Sequence, residues 1–352
     1  MGGIAFLLAA ILVILDRYLA SYGDCDITIN DSKTLTVTGG QSLLSYLMDN
    51  KIFIPSACGG RATCGFCKVN IPEGAGPLLP TESPFLTRSE VARNTRLACQ
   101  VKVKSDLSVI IPEKYLSIQE FKTIVESIKD LNYDTKEIFL RLDEPEYISF
   151  MPGQYIQLKL PDSDEYRAYS IASPPDSNNF IELIVRLVPG GCCSGYIHRD
   201  LKTGHKVSFT GPYGELALRE NSDKDIICVG GGCGMAPFRS IIRHLFDTGT
   251  KRDVKYFYGA RSVRDLYFVD EFRKLEREKE NFSFIIALSE PDKDSQWEGE
   301  IGFIHQILDK HLQDNNNAEA YLCGPPVMID MTMQVLLSKG IAEEDIMFDK
   351  IQ

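Results

Sequence analysis

Four cysteines in this chain of 352 residues have a spacing that suits a metal cluster. Cys58, Cys64 and Cys67 lie within ten residues of one another in the glycine-rich stretch CGGRATCGFC, and Cys99 follows 32 positions later. Thiolates that accept hydrogen bonds from backbone N–H groups are the ligands of iron–sulfur clusters. The pattern therefore predicts a [2Fe-2S] cluster. Zinc is the alternative, but structural zinc sites usually pair two closely spaced knuckles, and Cys99 has no near partner in sequence.

A second set of residues could bind a flavin nucleotide. Arg167, Tyr169 and Ser170 end a strand-like stretch, and residues 189–194 (PGGCCS) precede a predicted helix start at 195–197. An arginine can neutralise a pyrophosphate, a tyrosine can stack on a ring or ribose, and a serine can hydrogen-bond a flavin nitrogen. Backbone amides before a helix can bind the remaining phosphate oxygens. Each piece is weak by itself, and their order and separation favour a flavin site.

A third set suits a nicotinamide dinucleotide. The glycine-rich turn at 230–237 (GGGCGMAP) follows a buried strand-like run at 226–229 and precedes a helix-like stretch. Such a turn brings a pyrophosphate to a helix N-terminus. Two later motifs, ending at Arg261 and beginning at Tyr321, follow further strand-like runs, and open α/β sheets bind ligands at such strand ends. Because the common GxGxxG pattern is absent, a purely structural turn is the alternative. Cys323 is predicted to contact the nicotinamide without acting as a covalent nucleophile.

The elements around these motifs indicate three folded domains. Residues 23–112 combine strand-like alternation with a short helix-like stretch at 42–48. Residues 113–222 alternate short β-rich runs with Pro and Gly turns, which is typical of an antiparallel barrel. Residues 223–352 alternate strand-like and helix-like runs, as a parallel α/β sheet requires.

Composition supports a folded multidomain protein. Hydrophobic residues make up 44% of the chain and charged residues 25%, which excludes a disordered chain and a polytopic membrane protein. The net charge of -11 argues against a nucleic-acid partner. Ten cysteines are too few for a disulfide scaffold of this length. Five of them show no ligand pattern and are predicted to pack as small hydrophobes: Cys25, Cys192, Cys193, Cys228 and Cys233.

An apolar run at residues 4–15 (IAFLLAAILVIL) precedes the first strand-like segment. A full membrane span needs about 20 apolar residues, so this run is short. A signal peptide fits poorly, because nothing basic precedes the run and no small-x-small cleavage site follows it. We predict a single membrane anchor over residues 1–22, with a signal segment or a docking helix as alternatives.

The cysteine loop, the LACQVKVKSD segment and the N-terminal apolar run resemble the NADH-oxidising component of the sodium-translocating NADH:quinone reductases. In that family a ferredoxin domain is fused to a reductase of the ferredoxin:NADP reductase superfamily. The motifs RAYSIASPP and YLCGPPVMIDM resemble the same family and also the reductase components of phenol-hydroxylase-type oxygenases. The resemblance implies a multidomain α+β and α/β fold: an N-terminal helix, a β-grasp [2Fe-2S] ferredoxin domain, an antiparallel β-barrel FAD domain and a parallel α/β NAD domain.

The resemblance also implies which residues meet each cofactor. The four cysteines of the first motif would hold the [2Fe-2S] cluster. The residues implied to contact FAD are Arg167, Tyr169, Ser170, Gly191, Cys192, Cys193 and Ser194. Those implied to contact NADH are Gly231, Gly232, Gly234, Met235, Pro237, Arg261, Cys323, Gly324 and Pro325. Catalytic roles fall to Ser170 near the flavin, Cys323 at the nicotinamide and Asp349, which matches an acidic residue near the family's C-terminus. Ile351 stands where the family usually has an aromatic residue, with Phe348 as a substitute.

The implied activity is transfer of a hydride from NADH to FAD, then of single electrons to the cluster and onward to membrane subunits of a quinone-reductase complex. The expected location is the cytoplasmic side of the cell membrane, held by a single-pass anchor. The reductase component of a multicomponent oxygenase and a non-catalytic redox sensor are the alternatives. NADH is expected over NADPH, because no clear Arg/Lys pair follows Arg261 to hold a 2′-phosphate, although Arg264 leaves NADPH open.

Overall fold

A computed structural model describes residues 22–161, 163, 165–292, 296–313 and 317–351. They form two compact units. The first comprises the described residues of 1–120 and 162–168, and the second those of 121–161 and 169–352. All but the last residue of the predicted anchor segment 1–22 lies outside the described residues. Within the described part of the chain, no helix is both long and apolar enough to cross a membrane.

The first unit is built on a mixed five-stranded sheet with strand order β2-β1-β5-β3-β4. Its strands are Asp24–Ile29 (β1), Lys33–Thr38 (β2), Lys68–Glu73 (β3), Thr95–Leu97 (β4) and Leu107–Ile110 (β5). Its helices are Leu43–Asp49 (α1), Arg88–Ala92 (α2) and Glu113–Leu116 (α3), with a 3-10 turn at Ser83–Phe85. The predicted strands and the helix near 42–48 are confirmed, and Ser42 caps α1 by accepting the Ser45 N–H.

A buried ion pair fixes the loop at 75–86 in this unit. Glu82, whose side chain is fully buried, accepts two hydrogen bonds from the Arg96 guanidinium, at 2.9 and 2.6 Å. Glu82 also accepts the N–H groups of Leu79 and Leu97, each at 3.0 Å. Burial alone would raise the pKa of Glu82, but the hydrogen bonds from Arg96 and the two amides hold it below its usual value. The carboxylate thereby ties the loop to the end of β4.

We expect Glu82→Gln to destabilise the first unit by about 3–5 kcal/mol, because Arg96 would remain buried without a counter-ion. Glu73→Gln, at an exposed position on β3, is the matched control and should cost less than about 0.5 kcal/mol.

Since folding depresses the pKa of Glu82, the contribution of its carboxylate to the stability of the unit is present at neutral pH and is lost as the pH falls below the carboxyl's usual range. Chemical unfolding followed by visible absorbance measures the change, and a cost below about 1 kcal/mol would contradict this account.

The second unit contains a barrel and a parallel sheet. The barrel has strand order β10-β7-β6-β11-β8-β9, and its first and last strands meet where Ala172 N–H donates to the Glu182 carbonyl at 2.8 Å. Tyr166 to Ala168 of β9 fall in the first unit. The barrel elements are Gln119–Asp130 (β6), Thr135–Glu144 (β7), Tyr155–Lys159 (β8), Tyr166–Ser170 (β9), Phe180–Arg186 (β10), Lys206–Tyr213 (β11) and the helix Cys192–Arg199 (α4).

The six-stranded sheet is parallel throughout, with strand order β15-β14-β13-β12-β16-β17. Its strands are Asp225–Gly231 (β12), Val254–Ala260 (β13), Phe282–Leu288 (β14), Glu300–Ile301 (β15), Ala318–Gly324 (β16) and Ile346–Lys350 (β17). Its helices are Met235–Asp247 (α5), Val269–Glu278 (α6), Ile304–His311 (α7) and Pro326–Ser338 (α8), with 3-10 turns at Gly232–Gly234, Val263–Asp265 and Glu343–Asp345. Separate apolar clusters cover the two faces, which explains the near-continuous apolar runs of the central strands.

Buried charges join α5 to the barrel within this unit. Arg239 on α5 is more than nine-tenths buried and pairs with Glu137 and Glu182 of the barrel strands and with Glu271 of α6. Its guanidinium also lies 4.2 Å from the centre of the Phe268 ring. These contacts set the position of the glycine turn that precedes α5.

The start of α4 differs from the sequence prediction. The helix begins at Cys192, three residues before the predicted start at 195, with Gly191 as its N-cap. Ser194 Oγ accepts the Val188 N–H at 3.1 Å, which folds the preceding loop back onto the first turn. The prediction was wrong here because a GGCC run has the composition of a loop.

Candidate cofactor sites

Pairing of β3 with β4 brings the fourth cysteine to the loop that carries the other three. Lys68 pairs with Leu97 across the two strands, and Ala98 N–H donates to the Cys67 carbonyl at 2.9 Å. Cys67 directly precedes β3, and Cys99 follows two residues after β4. One antiparallel strand pair thus closes the gap of 32 positions in the sequence.

The four sulfurs form two pairs. Cys64 Sγ lies 3.4 Å from Cys58 Sγ, and the Cys67 thiol donates to the sulfur of Cys99. The hydrogen bond from Cys64 lowers the pKa of Cys58 to about 4, and that from Cys67 lowers the pKa of Cys99. The same contacts, together with burial, raise the pKa values of Cys64 and Cys67. Each pair therefore brings two sulfurs within hydrogen-bond distance of each other.

Backbone N–H groups of the loop point at these sulfurs. The amides of Thr63 and Cys64 donate to Cys58, and the amide of Ala62 donates to Cys99. The Thr63 hydroxyl donates to Cys58 as well. The loop reaches this conformation through positive φ values at its three glycines and at Ala62. Several donors aimed at thiolates are the environment that an iron–sulfur cluster uses.

The pairing fits a cluster with two iron atoms. Each iron of a [2Fe-2S] cluster takes two cysteine ligands, and the sulfurs here converge two by two. Across the ranges that the structure describes, no group of three or more histidine, cysteine, aspartate or glutamate side chains is arranged to hold one metal ion. The convergence in two pairs is what favours the binuclear cluster over a single zinc ion.

The carboxyl ends of parallel strands meet at the predicted nicotinamide site. Gly230 in β12 pairs with Cys323 in β16, and Cys323 pairs in turn with Asp349 in β17. On the other side, Gly231 pairs with Gly259 of β13, two residues before Arg261. The three sequence motifs of this domain therefore lie at one edge of the sheet, where open α/β sheets bind ligands.

The glycine turn is shaped as a cradle at the N-terminus of α5. A Cβ at Gly234 would overlap the Cys323 carbonyl, and one at Gly231 would lie 2.7 Å from Met328 Sδ. Gly232 has a φ of +55°, and the side where its Cβ would stand is open. No side chain caps this helix, and the N–H of its first residue, Met235, donates to the Gly232 and Cys233 carbonyls of the 3-10 turn. Met235 and Pro237 of the first turn are buried and Pro237 has no N–H, so the open part of this turn is at Gly232.

Burial sets the protonation of the groups beside this turn. It raises the pKa of the Cys323 thiol well above its usual value, with a smaller effect from Asp349. A neutral thiol suits the predicted positioning role and disfavours a covalent one. Burial, and to a lesser extent the Glu215 carboxylate, raise the pKa of Asp349 to about 7. Asp349 therefore titrates in the physiological range.

The end of the chain places Asp349 and Phe348 on opposite faces of β17. Phe348 pairs with Leu322, whereas Asp349 pairs with Cys323, and successive side chains of a strand alternate. Lys350 Nζ lies 5.6 Å from the centre of the Phe348 ring. Ile351 is two residues after Asp349 and so falls on the same side of the chain as Asp349. Its N–H donates to the Gly324 carbonyl at 2.9 Å. Phe348 thus does not stand beside the Cys323 side chain, and Ile351, directly after β17, holds the position where the resemblance implied an aromatic residue.

The predicted flavin residues lie on β9 and at the start of α4. Tyr169 and Ser170 end β9 and are half-buried, with Tyr169 packed against the barrel core. The first turn of α4 follows Gly191 and has no side-chain cap. Cys193 is buried in the barrel core, whereas Cys192 is half-buried.

Arg167 has a partner that the sequence did not reveal. Its Nη2 lies 2.7 Å from Glu165 Oε2, and its Nη1 donates to the Tyr166 carbonyl at 2.7 Å. Gly59 has a φ of +63°, and a Cβ there would lie 2.9 Å from the Tyr166 carbonyl oxygen and overlap the Arg167 guanidinium, so another residue would be strained there. Binding of a pyrophosphate by Arg167 would have to compete with Glu165.

A tyrosine distant in sequence organises the arginines that follow β13. Tyr133 Oη donates to Asp265 Oδ1 at 2.7 Å and accepts from Arg261 Nη2 at 3.3 Å. The Arg264 guanidinium lies 4.8 Å from the centre of the Tyr133 ring. Tyr133 thus engages both Arg261 and Arg264, and Arg264 is the residue for which the sequence left NADPH binding open. The Asp265 carboxylate beside them would repel a 2′-phosphate. Tyr133 is 128 positions from Arg261, and no local pattern signals the contact.

Fold and sites together define a ferredoxin domain fused to a flavin reductase of the ferredoxin:NADP reductase type. Three family models match the chain in succession. They are the 2Fe-2S iron-sulfur cluster binding domain over residues 27–104, the oxidoreductase FAD-binding domain over 122–218 and the oxidoreductase NAD-binding domain over 228–334. The chain is therefore an NADH-dependent oxidoreductase with FAD and [2Fe-2S] cofactors, and its electrons pass from NADH to FAD to the cluster.

Relatives of known name show to which family of flavin reductases with a fused ferredoxin domain the chain belongs. The F subunit of the Na(+)-translocating NADH-quinone reductase of Methylococcus capsulatus is 36% identical over 396 aligned positions, which cover 98% of this chain and 96% of the relative. The corresponding protein of Neisseria gonorrhoeae is 35% identical over 394 positions, covering 98% of this chain and 96% of that protein. The chain belongs to this family, the F subunits of Na(+)-translocating NADH-quinone reductases. The alignments are longer than the chain's 352 residues, so these relatives carry insertions that it lacks.

Two solved structures share the fold. The ferredoxin reductase in carbazole 1,9a-dioxygenase is 31% identical with a TM-score of 0.73, covering 93% of this chain and 98% of its own. The Amycolatopsis cytochrome P450 reductase GcoB is 26% identical with a TM-score of 0.75 and the same coverage.

We expect flavin reduction by NADH to accelerate as the pH rises through about 7, the pKa of Asp349. Hydride loss leaves a positive nicotinamide, which a nearby carboxylate stabilises by about 1 kcal/mol, or about fivefold in rate. Asp349→Asn should remove this step and keep the rate at its acid-side level. Stopped-flow absorbance measures it, with Asp309→Asn, an exposed aspartate on α7, as the control. An unchanged pH step in Asp349→Asn would refute the role.

Proposed function

We propose that this chain is the electron-input component of a membrane-bound quinone-reductase complex, delivering single electrons from its [2Fe-2S] cluster to membrane subunits. The observation that carries this proposal is the end-to-end similarity to the F subunits of Na(+)-translocating NADH-quinone reductases. Coverage of 98% leaves about seven residues unaligned, so the similarity extends into the apolar run at 4–15. That run would anchor the chain on the cytoplasmic side of the cell membrane.

In this proposal each of the domains 23–112, 113–222 and 223–352 binds one cofactor: the cluster, FAD and NADH, respectively. Bound FAD accepts the two electrons of a hydride together and releases them singly, as a [2Fe-2S] cluster requires. The turn at 230–234 would hold the NADH pyrophosphate, while Cys323 and Asp349 would face the nicotinamide. The first turn of α4 would bind the flavin phosphates, with Tyr169 and Ser170 beside the flavin ring. The two cysteine pairs would hold the cluster under the N–H groups of their loop.

Cys64→Ala tests the proposed order of transfer. Without this ligand the cluster should be lost, so reduction of a one-electron protein acceptor such as cytochrome c should fall at least about tenfold. Reduction of ferricyanide by NADH should change less than about twofold, because the flavin can supply that acceptor directly. Cys25→Ala, at a buried cysteine of the same unit outside the motif, is the matched control and should keep both activities. Equal loss of both activities in Cys64→Ala, with FAD still bound, would refute the order.

Removal of residues 1–22 tests the anchor. In a host that lacks quinone-reductase partner subunits, the full chain should sediment with membranes and resist a high-salt wash, because its attachment is apolar. The truncated chain should appear in the supernatant with unchanged NADH:ferricyanide activity. A full chain found mainly in the supernatant would contradict the anchor and leave the other domains' assignments intact.

A reductase component of an oxygenase is the second candidate. The similarity to the ferredoxin reductase in carbazole 1,9a-dioxygenase favours it, since that structure covers 93% of the chain at 31% identity. Affinity purification from native membranes separates the two functions. Co-purification of integral-membrane subunits with NADH-driven quinone reduction supports the first, and recovery of a soluble terminal oxygenase supports the second.

A further inference from the structure

The side chain of Gln100, a residue outside the cysteine loop, lies close to the sulfur of the predicted cluster ligand Cys99. Gln100 Nε2 lies 3.6 Å from Cys99 Sγ and 3.3 Å from the Cys99 carbonyl oxygen. An amide nitrogen carries two N–H groups, so Gln100 can donate to both atoms. The loop amides already point at the sulfurs through the backbone, whereas this donor depends on the identity of a single side chain.

The orientation of the Gln100 amide is fixed by a second residue. Thr81 Oγ1 donates to Gln100 Oε1 at 2.8 Å. If the amide were rotated by half a turn, its oxygen would face the Cys99 sulfur, which is negatively charged when it binds iron. The Cys99 carbonyl oxygen and sulfur both accept hydrogen bonds, so they favour the arrangement in which N–H groups face them, and Thr81 holds the amide there by donating to its oxygen.

Thr81 is itself held in place by the buried ion pair of this unit. It precedes Glu82, which is fully buried and accepts hydrogen bonds from Arg96 and from the amides of Leu79 and Leu97. The residue that orients Gln100 thus stands on the most firmly attached part of the loop at 75–86. A side chain 19 positions from Gln100 in sequence is kept within hydrogen-bond distance of it.

We propose that Gln100 sets the reduction potential of the [2Fe-2S] cluster by donating a hydrogen bond to the Cys99 sulfur, and that Thr81 is the positioning residue for this bond. Reduction adds one negative charge that is shared with the ligand sulfurs, so an N–H donor stabilises the reduced form more than the oxidised form. The contact therefore raises the potential and favours electron transfer from the flavin to the cluster.

Potentiometric titration of the purified full-length holoprotein tests this proposal, with the reduced cluster quantified by electron paramagnetic resonance at pH 8. Gln100→Leu should lower the ratio of reduced to oxidised cluster about tenfold at a fixed potential, a shift of about 59 mV for one electron. Thr81→Val should lower the ratio about threefold, because the amide keeps its N–H groups but loses its fixed orientation. Adding Thr81→Val to Gln100→Leu should change nothing further, since Thr81 acts through Gln100.

Matched controls separate this effect from a general loss of structure. Gln119→Leu and Thr34→Val replace exposed residues of the same types in the same unit, and both should leave the ratio within twofold of the parent. If Gln100→Leu fails to retain the cluster, Gln100→Glu provides the test. It keeps the acceptor for Thr81 but lacks the N–H donor, and it should lower the ratio at least tenfold.

Two results would overturn the proposal. One is a Gln100→Leu protein with a full complement of cluster whose ratio stays within twofold of the parent. The other is a further fall when Thr81→Val is added to Gln100→Leu, which would show that Thr81 acts by another route. Both readouts are potentials, so they do not depend on which electron acceptor the protein uses.

Discussion

The first unit depends on keeping four cysteine sulfurs close together. Cysteine sulfurs are negatively charged when they bind iron, and negative charges held this close together repel one another. The chain offsets this repulsion with hydrogen-bond donors from its own backbone. The positive φ values of the loop glycines turn amides toward Cys58 and Cys99, and the pairing of β3 with β4 supplies the fourth sulfur. The buried Glu82–Arg96 pair then holds the neighbouring loop against the end of the same strand. The strands and the ion pair thus serve a common purpose, which is to hold thiolates for iron.

A different constraint organises the second unit. A dinucleotide needs free N–H groups at a helix N-terminus and a backbone that its phosphates can approach. The parallel sheet provides the open backbone at the glycine turn after β12, which packs against the Cys323 carbonyl so closely that a side chain at Gly234 would not fit. The same register brings Asp349 beside Cys323. Burial keeps the thiol neutral and brings the carboxyl into the physiological range of titration.

Much of this arrangement could be predicted from the sequence, because it rests on local patterns. The order of strand-like runs indicated the barrel and the parallel sheet, the cysteine spacing indicated the cluster, and the family resemblance implied the β-grasp fold. Contacts between distant side chains could not be predicted, since they depend on the path of loops. The pairs Thr81–Gln100, Glu82–Arg96 and Tyr133–Arg261 belong to this class. The start of α4 was missed for the opposite reason, because its local composition is that of a loop although its tertiary contacts make it helical.

The path from NADH through FAD to the [2Fe-2S] cluster is the central claim, and anaerobic spectroscopy of the purified full chain tests it most directly. Absorbance and electron paramagnetic resonance would be recorded before and after addition of NADH. The account predicts that NADH bleaches the flavin bands and the cluster shoulder together and produces the resonance signal of a reduced [2Fe-2S] cluster. A flavin that bleaches while an intact cluster stays oxidised, or a protein that holds zinc in place of iron at the four cysteines, would contradict it.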